Sequence, residues 1–331
     1  MVQVQIVKTD TMGIVYTLKN DTQRVSLSPV GARLLGWEIE MGETTRDIVV
    51  GFDSLDQHLT HRYFGATIGP VAGRIKEGTF TLGDHTYQLE TTENGHTLHS
   101  GALGLDQVTF DAAVDSKEDQ ASVAFRTVFS DPDQRFPGTL DITVTYTLTD
   151  ENELTITYDA TTDKPTLFNP TNHGYFNLSG DARNPINNHH LHIGAHHIAE
   201  KLADVTTTGE VLSVEGTAYD FETSRPIGDV ALDDPFILHH ETDADLELVS
   251  ADQQVKLTVK TDAPAVILYT TGTHEEGETM KKGQVMANRG SIAIETQGIP
   301  GSERYTHFPS ITLKPEQAFH SVTRYHLEEL K

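Results

Sequence analysis

Apolar and polar residues alternate along much of this chain. From Leu140 it reads Leu-Asp-Ile-Thr-Val-Thr-Tyr-Thr-Leu, which sets Leu140, Ile142, Val144, Tyr146 and Leu148 on one face. A period of two is the mark of a half-buried strand. Asp150-Glu151-Asn152 interrupts the run, and it resumes through Leu154, Ile156 and Tyr158, with Thr155 and Thr157 between them. The spacing predicts a hairpin with threonines on its wetter face. Shorter runs stand at Val25–Leu27, Thr79–Leu82, Ala121–Val128, Leu246–Val249, Val255–Val259, Val266–Thr270, Ser291–Thr296 and Ile311–Leu313. Turn formers separate them, as at Asp84, Asn94-Gly95 and Asp131-Pro132-Asp133. Helical spacing is confined to Leu55 and Leu59 after Ser54, where a short surface turn is expected. The pattern predicts an all-β chain, a large antiparallel β-sandwich built from two packed sheets. No linker, low-complexity tract or fixed-period repeat divides the chain, so residues 1–331 are expected to form one domain.

Charge narrows the choice of partner. With 49 acidic and 24 basic residues the formal net charge is −25. A field of that sign repels phosphate backbones and anionic lipid, so neither nucleic acid nor a membrane surface is an expected partner. A neutral small molecule suits it best, although the same acidity also serves plain solubility. The chain has no cysteine, which excludes disulfides and thiolate chemistry. It has no apolar run of ~18 residues, and Met1-Val2-Gln3-Val4-Gln5 carries neither a basic region nor an apolar block. A cytoplasmic protein is expected.

Three segments put polar residues where a strand would hold apolar ones. In 168–178, alternation places His173, Tyr175 and Asn177 on one face. Such a face is costly to bury unless something polar meets it, so it lines a pocket or lies on a wet surface. In 291–301, Ile292 and Ile294 face one way while Ala293, Glu295 and Gln297 face the other. These three could floor a site in which desolvation makes Glu295 a base near neutrality; the alternative is a solvent-facing carboxylate. In 64–75, small residues surround Arg74, and His99 follows within Leu98-His99-Ser100-Gly101. Neither element is specific alone. The histidines at 189–197 invite a metal reading through His190 and His192, but Leu191 and Ile193 supply a buried face. A histidine-decorated exposed strand is the expectation there, and no metal site is assigned.

Taken together and in order, these segments resemble the aldose 1-epimerase (galactose mutarotase) family across nearly the whole chain. The most specific match is Asn172-His173-Gly174-Tyr175-Phe176-Asn177-Leu178, corresponding to the family's Asn-His-x-Tyr-Phe-Asn-Leu. Glu295-Thr296-Gln297-Gly298-Ile299-Pro300 corresponds to its Glu-x-Gln-x-x-Pro, Ala72-Gly73-Arg74 to its Ala-Asn-Arg, and Leu98-His99-Ser100-Gly101 to its Leu-His-Gly-Gly. Thr208-Gly209-Glu210, Tyr219-Asp220-Phe221 and the close of the chain from Leu313 fit as well. Gly73, Ser100 and Asp234-Pro235 depart from the pattern and put the sugar preference in doubt.

The resemblance implies a mutarotase-like supersandwich that interconverts the α and β anomers of a free aldose such as galactose, glucose or maltose. It implies Glu295 as base and His173, as imidazolium, as acid, with no cofactor or metal. Arg74, His99 and Asp233 would position the sugar. Monomer and homodimer are equally compatible with the sequence. A glycoside hydrolase would want two flanking carboxylates instead of a His/Glu pair, and a non-catalytic sugar-binding module would have no need of either. A sugar-phosphate epimerase would want more basic residues than Arg74.

Overall fold

The computed structural model describes every residue except Pro132 and Gln134, so part of the turn expected at Asp131-Pro132-Asp133 lies outside the described residues. The all-β expectation holds, with more sheets than the expected two. A nine-stranded sheet carries the predicted hairpin, Thr139–Thr149 with Glu153–Thr162, next to the C-terminal strand Phe319–Glu329. A six-stranded sheet runs in the order Gly174–Phe176, Ile292–Gln297, Ala265–Thr270, Asp233–Ile237, His197–Lys201, Thr207–Ser213. Neighbours in both pair antiparallel.

The third large sheet, five strands between Gln3 and Asp47, was signalled in the sequence only at Val25–Leu27. Its fourth strand, Arg33–Met41, runs Arg-Leu-Leu-Gly-Trp-Glu-Ile, buried on both faces at first, so alternation is lost there. Trp37 ties this sheet to the nine-stranded one: its indole N–H donates to Gln23 Oε1 at 2.9 Å, and Gln23 Nε2 donates to the Leu327 carbonyl at 2.7 Å.

Alternation decides which side of the six-stranded sheet meets the core. Ile292, Ile294, Val266, Leu268 and Phe236 join the main apolar core with Val144, Tyr146, Leu154 and Ile156 of the hairpin. The opposite face is left to Ala293, Glu295 and Gln297, and to Ile267, Tyr269, Asp233 and Pro235 on the adjoining strands. The short helix Leu55–Thr60 starts as expected, with Ser54 Oγ accepting from the Gln57 N–H at 3.3 Å. Its buried residue is His58, whose Nε2 accepts from the Phe52 N–H, whereas Leu59 is exposed.

Candidate active site

Strand register assembles the floor of one cavity of about 430 Å³. Tyr175 pairs with Ala293, Ala293 with Tyr269, and Tyr269 with Asp233, giving one row across four strands. The next row on the same face is Glu295, Ile267 and Pro235. Ala293 is the small residue between two tyrosines, and all seven of these positions except Ala293 line the cavity.

His173 comes from the gap between the short strands Thr171–Asn172 and Gly174–Phe176. Its backbone is held from both sides: its N–H donates to the Ala66 carbonyl, and its carbonyl accepts from the Gly65 N–H, each at 2.9 Å. Gly65 has φ +71° and an added Cβ there would stand 1.9 Å from the Leu34 carbonyl oxygen, so only glycine fits. The imidazole stacks on Tyr175 at 4.8 Å and lies edge-on to His99 at 5.3 Å. His173 Nε2 is 3.3 Å from Glu295 Oε1, and both residues are at least 96% buried.

That burial dominates their titration. It pushes Glu295 up to about 8, with the neighbouring Asp233 charge adding to the rise and Arg74 opposing it. It pushes His173 down to about 3. The resting pair at neutral pH therefore keeps a proton on Glu295 beside a neutral imidazole, the reverse of the expected carboxylate–imidazolium state. The two forms differ by one proton transfer across the 3.3 Å contact.

The other three expected residues meet in the same cavity. His99 has φ +50°, followed by Ser100 at +65° and Gly101 at +67°. This left-handed stretch is fixed by two reciprocal bonds: the His99 N–H donates to the Gly73 carbonyl, and the Gly73 N–H donates to His99 Nδ1 at 3.1 Å. A neutral His99 with Nδ1 accepting carries its proton on Nε2, and burial first, then His173, Arg74 and Arg62, keep it neutral. Arg74 Nε donates to Glu93 Oε2 at 2.6 Å. Burial raises the Asp233 carboxyl, opposed by Arg74 and Lys201.

Sequence alternation misplaced one neighbour, and two of the departures from the family pattern lie off the cavity lining. Asn177 does not share the cavity with His173 and Tyr175: its amide donates to the carbonyls of Asp181, Asn184 and Gly290, pinning a loop. Segment 171–178 is buried throughout, so alternation gave no inside and outside. Ser100 lies behind the cavity, accepting from the Val71 N–H at 2.8 Å and donating to the Val71 carbonyl at 3.0 Å. Asp234 is buried and pairs with Lys201 at 2.9 Å, while Lys201 Nζ also donates to the Asp233 carbonyl at 2.6 Å. Lys201, Tyr63 and Glu275 line the cavity without any local signal in the sequence.

On the strand His190–Ile193, His190 and His192 alternate with the buried Leu191 and Ile193 as expected, but they are half-buried instead of exposed. A different trio, His196, Glu222 and His239, brings its ligand atoms within 4.8 Å of one another. His239 Nδ1 already accepts from the Glu241 N–H, so the neutral ring keeps its proton on Nε2, facing Glu222 Oε1 at 3.2 Å. The lone pair a metal would need is engaged.

Residues 15–326 match the family model described as aldose 1-epimerase. The chain belongs to the aldose 1-epimerase family. It is 32% identical to human galactose mutarotase over 319 residues, covering 93% of this chain and 92% of that one. It is 31% identical to the aldose 1-epimerase of Escherichia coli K12, covering 93% of each. An aldose epimerase homologue from C. elegans superposes with a TM-score of 0.87 at 26% identity, and a galactose 1-epimerase from Lactobacillus acidophilus with 0.85 at 27%, each over the full length of both chains. The epimerase is thus an isomerase of carbohydrates that interconverts the anomers of an aldose. Among the described residues no helix is long and apolar enough to cross a membrane.

Proposed function

We propose that this epimerase opens and closes the ring of a free hexose, galactose or glucose, with Glu295 and His173 as its acid–base pair. The observation that carries this reading is their 3.3 Å contact at the buried floor of the cavity. Two groups sharing one proton supply an acid and a base together, which is what mutarotation requires. The C1 hydroxyl of the sugar, approaching Glu295, favours the ionised carboxylate and hands the resting proton to His173. Glu295 then takes the C1 hydroxyl proton as the C1–O5 bond breaks, and O5 receives the electron pair together with the proton of His173 Nε2. The open-chain aldehyde turns about C1–C2. His173 takes the proton back from the O5 hydroxyl as O5 attacks the other face of C1, and Glu295 returns its proton to O1. As the sugar leaves, the proton passes back from His173 to Glu295, and the pair is as it began.

Asp233, Arg74 and His99 hold the ring in register. An ionised Asp233 accepts from two hydroxyls, the Arg74 guanidinium donates from the edge not held by Glu93, and His99 donates from Nε2. Holding the reacting groups in place contributes in its own right. The whole chain acts as one unit in the cytoplasm, on a small neutral sugar, without cofactor or nucleic acid. The net charge of −25 supports the last point.

Polarimetry of freshly dissolved α-D-galactose and α-D-glucose at low temperature tests this. Wild type should speed relaxation, and Glu295→Gln and His173→Ala should each lose ~10²–10⁴-fold, the usual share of one acid or base. Acceleration that survives Glu295→Gln would refute the pair.

A further inference from the structure

Amides buried around the site are satisfied, with one exception. Asn172 donates to the Gly65 carbonyl and to Tyr146 Oη, and Asn169 exchanges bonds with the backbone of Gly298. Gln297 is 3% exposed and lines the cavity, yet its Oε1 has no hydrogen-bond partner. Its Nε2 has none either among the described residues. A buried amide oxygen left unpaired destabilises a fold, and an apolar side chain of equal size would serve the packing better. Such a group points to a partner that arrives from outside.

The neighbourhood says from which side. Gln297 stands two residues beyond Glu295 on the same strand face, one repeat or ~7 Å along the strand. Gly73 faces it: a Cβ added there would lie 3.6 Å from Gln297 Nε2 and 3.5 Å from Pro300 Cβ. Because position 73 bears no side chain, no Cβ packs against the amide nitrogen from that wall.

We propose that Gln297 is a substrate-binding specificity residue, its amide bonding a sugar hydroxyl across the ring from the anomeric carbon. A hydroxyl both donates and accepts, and the amide offers both complements. The placement rests on the reading that Glu295 and His173 take the C1–O5 end. A contact made equally in the ground state and in the transition state changes KM and leaves kcat alone.

Gln297→Met keeps the length and removes the amide. Mutarotation kinetics on galactose and on its 2-, 3-, 4- and 6-deoxy analogues should show KM for galactose raised about tenfold, with kcat within threefold of wild type. One deoxy sugar should bind wild type and variant equally, and that identifies the hydroxyl. Tm should hold or rise, because an unpaired buried amide has been removed; a structural role would lower it. Unchanged KM, a fall in kcat as large as the rise in KM, or a lowered Tm would each overturn the assignment. Sugar affinity measured by calorimetry separates the two failures. Weakened binding in Gln297→Met with full activity in Glu295→Gln would sink the acid–base reading and not the contact. Unaltered binding with inactive Glu295→Gln would sink only the contact.

Discussion

Replacing Glu295 by glutamine should stabilise this enzyme while inactivating it, and the gain should grow with pH. Glu295 releases its proton near 4.5 in the unfolded chain and near 8 in the folded one, because burial beside Asp233 disfavours the carboxylate. Between those values the folded state binds more protons than the unfolded state, so stability falls as pH rises. Integrating over the two values, the carboxyl costs the folded state about 1 kcal/mol at pH 5, about 3 at pH 7 and about 5 at pH 9. Glutamine does not titrate, so any change in packing that it brings is the same at every pH. The difference between variant and wild type should therefore widen by about 4 kcal/mol from pH 5 to pH 9. For 331 residues the unfolding entropy is roughly 0.7 kcal/mol per degree, so the gap in Tm should open by about 6 °C. Scanning fluorimetry of both proteins across that range measures it. A Tm difference that stays flat with pH would mean that Glu295 is not held protonated by burial, and the proton-sharing account of the pair would fall with it.

The same titration sets the rate profile: kcat/KM should hold from about pH 5 to 7 and fall above about pH 8, where the pair loses its only exchangeable proton and has no acid. Buffer-corrected polarimetry would show this, and a rate still rising at pH 9.5 would contradict it. Asp233→Ala should raise KM more than it lowers kcat, because the carboxylate binds hydroxyls without moving a proton; steady-state kinetics showing the reverse would place Asp233 in the proton path. Ser100→Ala breaks both bonds to Val71 and should lower stability by about 1–3 kcal/mol. Ser100→Gly should cost less, since glycine accepts φ +65° freely, and an unfolding curve of Ser100→Ala that matches wild type would show that the bonds contribute nothing.

The strands and the floor of the site were legible because both rest on alternation. Ile292 and Ile294 turned inward, and that alone sent Ala293, Glu295 and Gln297 to the opposite face, where Glu295 and Gln297 line the cavity. Alternation failed wherever both faces are buried. It set Asn177 beside His173, although the Asn177 amide ties down backbone carbonyls, and it passed over the strand Arg33–Met41, which is covered on both sides at its start. Arg74, His99 and Asp233 met in space as the family resemblance implied, while Lys201 and Tyr63 carried no signal. Their place in the site depends on loops and on cross-strand neighbours more than 20 residues away, and no local pattern encodes such a distance.

The difference between floor and wall explains why the reaction is better determined than the sugar. Glu295 is fixed by register in a ladder of six strands, and His173 by two backbone bonds to the Gly65-Ala66 segment. Neither position can shift without breaking a strand pair or a backbone bond. The wall is set by individual contacts: Lys201 to Asp234, Glu93 to Arg74, and the absence of a side chain at Gly73. Each of these can change without disturbing a strand pair, as loops and rims generally can. Departures from the family pattern fall at Gly73 on the wall, at Ser100 and Asp234 behind the cavity, and at Pro235 in the floor row two strands from Glu295. Substitutions there should alter which hydroxyls are met, whereas the proton shared by Glu295 and His173 stays where the sheet puts it.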